Sequence, residues 1–505
     1  MSANDIFDVA IVGYGPAGQV AAGLLGQRGL KVYVCERLAD VYQIPRAIAL
    51  DHEIMRVFQQ LGVVEAIEPF TEPFTNSEYF GADGQLIRRM TMVAPPYPQG
   101  YTPSLVFTQP PVEGAVRAPG GQLPKVTVGL GGEMRGLEQD GEGVSLHIEA
   151  KGKLRDVRAR YAIACDGGSS GVRTQLGIDM LDLDFDEPWL VVDVLVNERG
   201  LAKLPKVSVQ YCEPERPCTL VIGPGNHRRW EISILPGEDP KEVATPEQTW
   251  KLLSRWLAPE DGQLWRQASY RFHALVARQW RQGRVFLAGD AAHMQPPFLG
   301  QGMCQGIRVV SNLDWKLAAV LQGEVGGEAA QALLDSYGVE RQAHVRELTS
   351  RIKAVGAVIC ERDAVKARER DARLLQECGG VVRDTPRQDI LPKLECGLLS
   401  ATPSAARGVL FPQPMLQGRR MDQVAGNGWR LVLAHDEGAS FFDDSWVTAV
   451  PIGGEDDSEG VTAGWFHRFE CVAALVRPDN YVFGIARSKS DVAELVEEAQ
   501  AMLRR

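Results

Sequence analysis

Short apolar runs along the chain predict two kinds of β-strand. Runs that are apolar at nearly every position are typical of strands buried in a parallel sheet, and they occur at 8–12, 31–35, 160–165 and 284–288. Runs that alternate between apolar and polar positions predict antiparallel strands with one covered face, as at 189–194 and 229–234. The pattern therefore predicts an α/β protein in which a mostly antiparallel sheet, 181–275, is inserted into a parallel one.

The remainder of the chain is predicted to be helical and then to end in a small α/β unit. Helices are expected at 312–321 and across 329–375, and the stretch 384–417, rich in Pro and Gly, has the character of a linker. Beyond it we expect strands and a closing helix, at 429–433, 471–476, 481–485 and 491–504. The predicted domains are a discontinuous first domain, an inserted sheet domain and a C-terminal domain, with the limits 1–180 plus 276–395, 181–275, and 410–505.

A glycine-rich turn joins the first predicted strand to an alanine-rich helix. Gly13 permits a sharp bend, Gly15 lets a pyrophosphate approach the backbone, and Gly18 lets the helix and the strand pack closely. The free N–H groups at the start of the helix favour phosphate oxygens. Glu36 follows the second strand about 20 residues further on, where an acid binds ribose hydroxyls in such sites. This segment predicts a dinucleotide-binding site.

Two later strands carry an aspartate just beyond their carboxyl ends. Asp166 follows the run 160–165, and Asp290 follows the run 284–288. Because ligands bind at the carboxyl edge of the strands in open α/β sheets, these loops and the glycine turn are expected to meet at one ligand. The competing interpretation is that each aspartate only caps the helix start that follows it.

Composition narrows the class of protein. The 505 residues are 45% hydrophobic, enough for about two to four domains, and the net charge of −11 argues against a nucleic-acid partner. No apolar run is long enough to span a membrane and the first strand begins too early for a signal peptide, so we expect a cytoplasmic protein. The nine cysteines are scattered without a CxxC pair, so neither a disulfide framework nor a metal site is predicted.

Together these motifs resemble the fingerprints of the flavin-dependent aromatic hydroxylases related to para-hydroxybenzoate hydroxylase. The resemblance spans the chain and rests on the glycine turn with Glu36, on Cys165-Asp166-Gly167, and on Gly289-Asp290-Ala291-Ala292-His293 with Pro296-Pro297. Three further segments look like the 3-(3-hydroxyphenyl)propionate hydroxylase branch, namely 45–53, 300–303 and 476–479. The resemblance implies a Rossmann-like FAD-binding domain, an inserted substrate-binding sheet, and a thioredoxin-like C-terminal domain. Because this last domain has no cysteine pair, it would be structural.

The resemblance implies FAD as the cofactor and assigns contacts to it. Glu36 would bind the adenosine ribose, and Asp290 a ribityl hydroxyl. Arg46 and Gln109 would lie near the pyrophosphate and the ribityl chain. An arginine suits this place, because its guanidinium neutralises phosphate well. Asp166 belongs to a loop that the family associates with both flavin and nicotinamide. The other implied cofactor contacts are Gly13, Gly15, Pro16, Ala17, Gly18, Arg37, Pro297, Gly300, Gly302 and Met303.

Two positions depart from the family pattern. Cys304 and Val309 stand where many relatives have Asn and Asp, in a stretch that would lie along the flavin ring. Backbone N–H groups are expected to make the contacts there, so FAD binding is expected to survive. Cys304 has no charged neighbour in sequence and is expected to be a small apolar filler.

The resemblance implies the reaction of a single-component monooxygenase. NADPH or NADH would reduce the flavin, O2 would form a flavin C4a-hydroperoxide, and oxygen would pass to a phenolic ring such as a 3-hydroxyphenyl alkanoate. We single out Tyr211 for a hydroxyl contact, Arg229 for a substrate anion or the flavin, and Trp189 and Pro297 for ring packing. His52 is a candidate proton relay. For Trp189 and Tyr211 the competing interpretation is burial in a core.

Other functions stay open at the level of the sequence. A relative of the same fold could act on a polyketide or an N-heteroaromatic ring, or perform epoxidation or Baeyer–Villiger insertion. A non-catalytic binding protein on the flavoprotein fold is more remote, because Glu36, Arg46 and Asp290 are intact. The expected partners are a small aromatic substrate and O2, bound by a monomer or homodimer.

Overall fold

The computed structural model describes residues 6–434, 446–453 and 457–504, so the outer limits 1 and 505 of the predicted domains lie outside it. In chain order the described strands are β1 Phe7–Val12, β2 Val32–Glu36, β3 Ala49–Asp51, β4 Thr71–Pro73, β5 Ser77–Phe80, β6 Leu86–Thr91, β7 Ser104–Phe107, β8 Val126–Leu130, β9 Gly132–Gln139, β10 Val144–Ala150, β11 Lys153–Ala164, β12 Met180–Val196, β13 Ser208–Tyr211, β14 Cys218–Ile222, β15 His227–Ser233, β16 Gly262–Ala277, β17 Arg281–Gln282, β18 Val285–Leu287, β19 His293–Met294, β20 Arg383–Pro386, β21 Met415–Leu416, β22 Arg419–Arg420, β23 Arg430–Leu433, β24 Thr448–Pro451, β25 Ala473–Val476 and β26 Val482–Ala486. The described α-helices are α1 Pro16–Gln27, α2 His52–Leu61, α3 Val64–Ile67, α4 Gln109–Gln122, α5 Gly171–Gln175, α6 Glu198–Leu201, α7 Pro240–Val243, α8 Pro246–Leu253, α9 Gly302–Leu321, α10 Gly327–Ile359, α11 Ala364–Gln376, α12 Met421–Ala425, α13 Val461–Phe469 and α14 Asp491–Arg504.

The first sheet has a parallel centre, as its continuous apolar runs predict. Its order is β17-β18-β11-β1-β2-β8, and the neighbours from β18 to β8 are parallel. The strands β10 and β9 extend it from β11 in antiparallel fashion. Since β18, β11 and β1 are neighbours, the glycine turn, the loop of Asp166 and the loop of Asp290 leave the sheet side by side at one edge.

The second sheet has the order β19-β16-β12-β15-β14-β13-β5-β6-β20. Its neighbours are antiparallel, except that β5 is parallel to β13 and β20 is parallel to β6. The centre of the sheet comes from the predicted segment 181–275, but its edges come from elsewhere, namely 77–80, 86–91, 293–294 and 383–386. The sheet therefore extends beyond the predicted segment, because these short strands pair with partners far away in sequence.

The C-terminal region has a separate sheet in the order β24-β23-β25-β26. The pair β23 and β24 is parallel, whereas β25 is antiparallel to both β23 and β26. Its core includes Trp429, Phe483 and Leu495, and the same cluster contains Trp315 of α9, which joins this region to the rest of the molecule. The strands and the helix predicted here coincide with β23, β25, β26 and α14 to within two residues.

The predicted helical stretch is confirmed and comprises three helices. The segment 312–321 is the second half of α9, and 329–375 is split between α10 and α11. Asp363 separates the latter two helices, because its side chain accepts hydrogen bonds from the first N–H groups of α11. Among the helices that the structure describes, none combines the length and the apolar character needed to cross a membrane.

Candidate active site

The glycine turn has the geometry that the sequence predicts. Gly13 has φ +97°, and a Cβ there would overlap the carbonyl of Cys165 in the neighbouring loop. A Cβ at Gly18 would overlap the carbonyl of Gly13, so a larger residue would push α1 away from the strand. At Gly15, by contrast, a Cβ would meet no atom within 4 Å, and this residue lines a cavity. The turn thus leaves its outer side open for a ligand.

The start of α1 faces the same cavity without a side-chain cap. Gly15 is the N-cap residue and makes no side-chain hydrogen bond, while Pro16 and Ala17 also line the cavity. The N–H groups of the first turn are therefore available to an anion.

Glu36 secures this turn. Its carboxylate accepts hydrogen bonds from the N–H of Tyr14 at 2.7 Å and from the N–H of Leu38 at 2.8 Å, and its side chain is buried. Arg37 is exposed and does not contribute to the cavity wall. Contacts of either residue with an adenosine stay predictions.

Arg46 and Gln109 have different roles. The Arg46 side chain is exposed at the cavity wall. Gln109 also lines the cavity, but its Oε1 accepts hydrogen bonds from the N–H groups of Arg46 at 2.6 Å and Ala47 at 2.5 Å, while its Nε2 donates to Glu113. Through these bonds Gln109 positions the segment 46–47. Its place near the pyrophosphate and the ribityl chain of a cofactor stays a prediction.

Asp166 behaves as a capping residue. Its carboxylate accepts hydrogen bonds from Ser170 Oγ at 2.6 Å and from the N–H of Val172 at 3.1 Å, at the start of α5, and it does not belong to the cavity wall. The structure therefore favours the capping interpretation over a cofactor contact. Arg173 donates to the carbonyls of Gly168 at 2.8 Å and Ala291 at 3.0 Å, and so ties this loop to the loop of Asp290.

Asp290 faces the cavity, as predicted for a ligand contact. Its side chain is exposed there, and no described group donates a hydrogen bond to it. The loss of hydration inside the cavity raises the pKa of Asp290, while the positive charge of Arg46 lowers it. Four other predicted contact residues line the same cavity, namely Pro297, Gly300, Gly302 and Met303. Gly300 has φ +62°, and its missing side chain leaves room for Ala49.

The cavity has a volume of about 430 Å³ and is bounded by both large sheets. One side is formed by the glycine turn and the loops after β18. The other side is formed by β12 to β16 of the second sheet. Its volume falls in the range of sites for small ligands. A ligand held by the first sheet would therefore meet a second ligand held by the second sheet.

A row of polar side chains crosses the cavity face of the second sheet. The register places Gln210 beside Thr219, Thr219 beside Glu231, and Glu231 beside Val191 on neighbouring strands, and all four line the cavity. Thr219 Oγ1 donates a hydrogen bond to Gln210 Oε1 at 2.5 Å. Of these residues the sequence analysis named none as a site residue, although Glu231 lies two positions from Arg229 and therefore on the same face.

A buried ion cluster adjoins this row. The carboxylate of Asp193 accepts hydrogen bonds from Arg229 Nε at 2.7 Å and Nη2 at 3.1 Å, and it lies 2.7 Å from His227 Nε2 and 3.5 Å from Arg266 Nη1. Burial alone would raise the pKa of Asp193, but Arg229 and His227 lower it well below its usual range. Asp193 is thus a buried anion held by several donors.

The same cluster fixes the segment that carries Arg46. Arg229 Nη1 donates to the carbonyl of Arg46 at 2.7 Å, and Arg266 donates to the carbonyl of Pro45. Arg229 lines the cavity, and each of its three side-chain nitrogens donates to Asp193 or to this carbonyl. Its contact with a substrate anion or the flavin stays a prediction. The Arg229 side chain also holds the segment of the cavity wall that carries Arg46.

Tyr211 and Trp189 lie outside the cavity wall. Tyr211 follows Gln210 in β13 and points to the opposite face, where its hydroxyl accepts a hydrogen bond from Trp256 Nε1 at 3.1 Å. The Trp189 ring is fully buried between Phe298 and Phe272, at centroid distances of 5.6 and 6.2 Å. Both predictions of a substrate contact are corrected in favour of packing.

His52 lies away from the cavity, whereas His293 belongs to its wall. His52 begins α2, is buried outside the cavity wall, and has a pKa that burial lowers to about 4. The prediction of a proton relay through His52 is therefore corrected. The buried ring of His293 stacks on Trp280 at 5.7 Å and burial lowers its pKa to about 3, which suits a structural role.

Cys304 is a buried filler, as expected. Its thiol lies 3.6 Å from the carbonyl of Ala49, and burial raises its pKa well above the usual value. Such a thiol is unreactive. The described residues contain no group of three or more His, Cys, Asp or Glu side chains that could hold a metal ion.

A family model and known proteins match most of the chain. The family model described as "FAD binding domain" matches residues 7–352. The chain is 37% identical to the "Probable NADH-specific resorcinol 4-hydroxylase" of Rhodococcus jostii (strain RHA1), over 98% of this chain and 94% of the relative. It is 32% identical to the "3-(3-hydroxy-phenyl)propionate/3-hydroxycinnamic acid hydroxylase" of Mycobacterium sp. (strain JLS), over 94% of this chain and 89% of the relative.

Two solved structures share the fold. The flavin-dependent monooxygenase PieE, in complex with FAD and substrate, has a TM-score of 0.80 at 23% identity, over 99% of both chains. Aklavinone-11 hydroxylase, in a ternary complex with FAD and aklavinone, has a TM-score of 0.79 at 22% identity, over 99% of this chain and 100% of that one.

Proposed function

The chain belongs to the FAD-dependent aromatic hydroxylases, and from this membership we propose that it uses NADH and O2 to hydroxylate a small neutral phenol of the resorcinol class. The relative of 37% identity carries the names of both this substrate and this reductant. The observation that supports the proposal most strongly is the single cavity that joins the residues of the FAD site to the polar row of the second sheet.

The residues present fit FAD. Gly15 and the uncapped start of α1 leave backbone N–H groups open to a pyrophosphate, and Arg46 adds a positive charge at the same wall. Asp290 is a free carboxylate that can accept hydrogen bonds from ribityl hydroxyls. When bound, FAD supplies hydride acceptance and the activation of O2. The protein supplies the binding site, the orientation of the substrate and the exclusion of water.

The second sheet would orient the phenol. Val191 and Val221 offer apolar surface for a ring, while Thr219 and Glu231 offer groups that bond to hydroxyls. A carboxylate in hydrogen-bond contact with a phenol hydroxyl increases the electron density of the ring, because it draws the proton away from the oxygen. The carbons ortho and para to that oxygen then become better nucleophiles, as hydroxylation requires.

A 3-hydroxyphenyl alkanoate is the second candidate, since relatives at 32% identity carry that name. Arg229 and Arg266 line the cavity and already bond to Asp193 or to the carbonyls of 45–46. A carboxylate beside these cations would also meet the like charge of Glu231, which lies two positions from Arg229 on the same face. This arrangement favours a neutral ring with two hydroxyls.

We also propose that the C-terminal sheet is a thioredoxin-like domain without redox activity. The strand order β24-β23-β25-β26, with one parallel pair and two antiparallel pairs, supports the assignment. Cys471 is the only cysteine of the chain beyond residue 410, so the dithiol that such redox chemistry needs is missing from the sequence.

The test is turnover by the purified FAD-loaded protein with resorcinol and with 3-(3-hydroxyphenyl)propionate. NADH oxidation, product formation and hydrogen peroxide are followed together, because uncoupled oxidation would otherwise pass for hydroxylation. We expect resorcinol to raise NADH oxidation and to gain one oxygen atom. Hydroxylation of the propionate alone would establish the second candidate, and a protein that binds no added FAD would refute both.

A further inference from the structure

Glu231 is the one buried carboxylate of the polar row, and the described structure gives it no hydrogen-bond donor. It lies in the middle of β15, its side chain is only 6% exposed, and it lines the cavity. Asp193, on the neighbouring strand, is by contrast surrounded by donors. A buried carboxylate without donors is costly, so its oxygens call for a ligand that donates hydrogen bonds.

The charges that face Glu231 support an ionised acceptor. Arg229 and Arg266 carry two positive charges, and Asp193 supplies one negative charge. An ionised Glu231 therefore makes the net charge of these four side chains zero. Both cations also donate hydrogen bonds to Asp193 or to the carbonyls of 45–46. Burial raises the pKa of Glu231, with Arg229 opposing the rise. A carboxylate with a raised pKa is a stronger acceptor of a phenol proton.

The neighbours of Glu231 define one end of the substrate pocket. Thr219 lies beside it in the register, and Thr219 Oγ1 is oriented by its hydrogen bond to Gln210. On the other side lies Val191, which offers an apolar surface. A flat ring on this surface would bring a hydroxyl to Glu231.

We infer that Glu231 is the substrate-binding residue that accepts a hydrogen bond from a ring hydroxyl and selects neutral dihydroxybenzenes against phenols that carry a carboxylate. The inference rests on the proposed function. A hydroxyl of resorcinol donates to the carboxylate, whereas a substrate carboxylate placed beside Glu231 meets a like charge. Glu231 is thus both an attractive group for one substrate class and a repulsive group for the other.

The test compares Glu231→Gln with the wild type in FAD-loaded protein, without NADH. The dissociation constants of resorcinol and 3-hydroxybenzoate are measured from the change that each causes in the flavin absorbance. We expect Glu231→Gln to raise the dissociation constant of resorcinol about tenfold, since a hydrogen bond to a charged group is lost. The preference for resorcinol over 3-hydroxybenzoate should fall by more than this factor, because the repulsion is removed as well.

Two further variants separate substrate selection from a general defect. Glu231→Asp keeps the charge and should keep the preference for resorcinol. Glu213→Gln removes a charge just beyond the end of β13 and outside the cavity wall, where Glu213 pairs with Arg255 at 2.7 Å, and should leave both dissociation constants unchanged.

The outcomes distinguish the two claims. If the wild type hydroxylates resorcinol but Glu231→Gln keeps the wild-type preference, or loses affinity for both ligands by the same factor, the inference is overturned and the proposed function stands. If the FAD-loaded wild type binds neither ligand, the proposed function fails, and the inference fails with it.

Discussion

Replacing Asp193 by Asn tests whether the ion cluster supports the second sheet and the segment 45–46. The carboxylate is fully buried and is the shared partner of Arg229 and Arg266. Among the described residues, Asp193→Asn leaves Glu231 as the acid that interacts with these two buried cations. Removing one partner from a buried ion pair costs about 3–5 kcal/mol of unfolding free energy.

The pH dependence follows from the pKa of Asp193, which is lowered in the folded protein. Its contribution to stability is therefore present above the unfolded pKa of about 4 and is lost as the pH falls through the lower, folded value. The deficit of Asp193→Asn should be constant between about pH 5 and 8 and should shrink below about pH 4, because the carboxyl of the unfolded wild type then takes up a proton.

The assay is urea unfolding of the FAD-loaded protein, followed by tryptophan fluorescence. Asp186→Asn is the matched control, because Asp186 pairs with Arg271 on the exposed part of the same sheet. Loss of this ion pair should lower the unfolding free energy by less than about 1 kcal/mol. A second readout is the dissociation constant of FAD, which should rise because the carbonyls of 45–46 lose their fixed donors. An Asp193→Asn protein as stable as the control variant would refute the reasoning.

Three other variants test individual assignments. Gly18→Ala should abolish FAD binding, because its Cβ would overlap the carbonyl of Gly13, whereas Gly114→Ala, whose Cβ meets no atom within 4 Å, should bind FAD normally in a fluorescence titration. Asp290→Asn should raise the dissociation constant of FAD about tenfold in the same titration. Asp166→Asn should change this constant less than about twofold, since Asp166 caps the start of α5. Tyr211→Phe should leave the KM of the substrate unchanged and cost about 1 kcal/mol of stability in urea unfolding, for one lost hydrogen bond. A raised KM in this last variant would restore Tyr211 to the substrate site.

The cofactor half of the site could be predicted because local rules determine it. A glycine turn needs its glycines for steric reasons, and the aspartates stand at strand ends whose position in a parallel sheet is known in advance. Gly13, Gly15, Gly18 and Asp290 accordingly lie where the sequence places them. Asp166 could not be assigned, because capping and ligand binding use the same residue type in the same place.

The substrate half depends on pairings between distant strands. Alternation shows that Tyr211 and Gln210 lie on opposite faces, but it does not show which face borders the cavity. Trp189 shares a face with Val191 and Asp193, yet it lies beyond the cavity under Phe298. The role of Asp193 needs the register of β12 with β15 and β16, which no local pattern gives.

The most direct test of the account is isotope incorporation under single-component conditions. The purified FAD-loaded protein receives NADH, resorcinol and ¹⁸O2, with no other protein present, and the product is examined by mass spectrometry. We predict that one ¹⁸O atom enters the ring for each NADH consumed in coupled turnover. A product with oxygen from water, or NADH oxidation that yields only hydrogen peroxide with every phenol, would contradict the central claim.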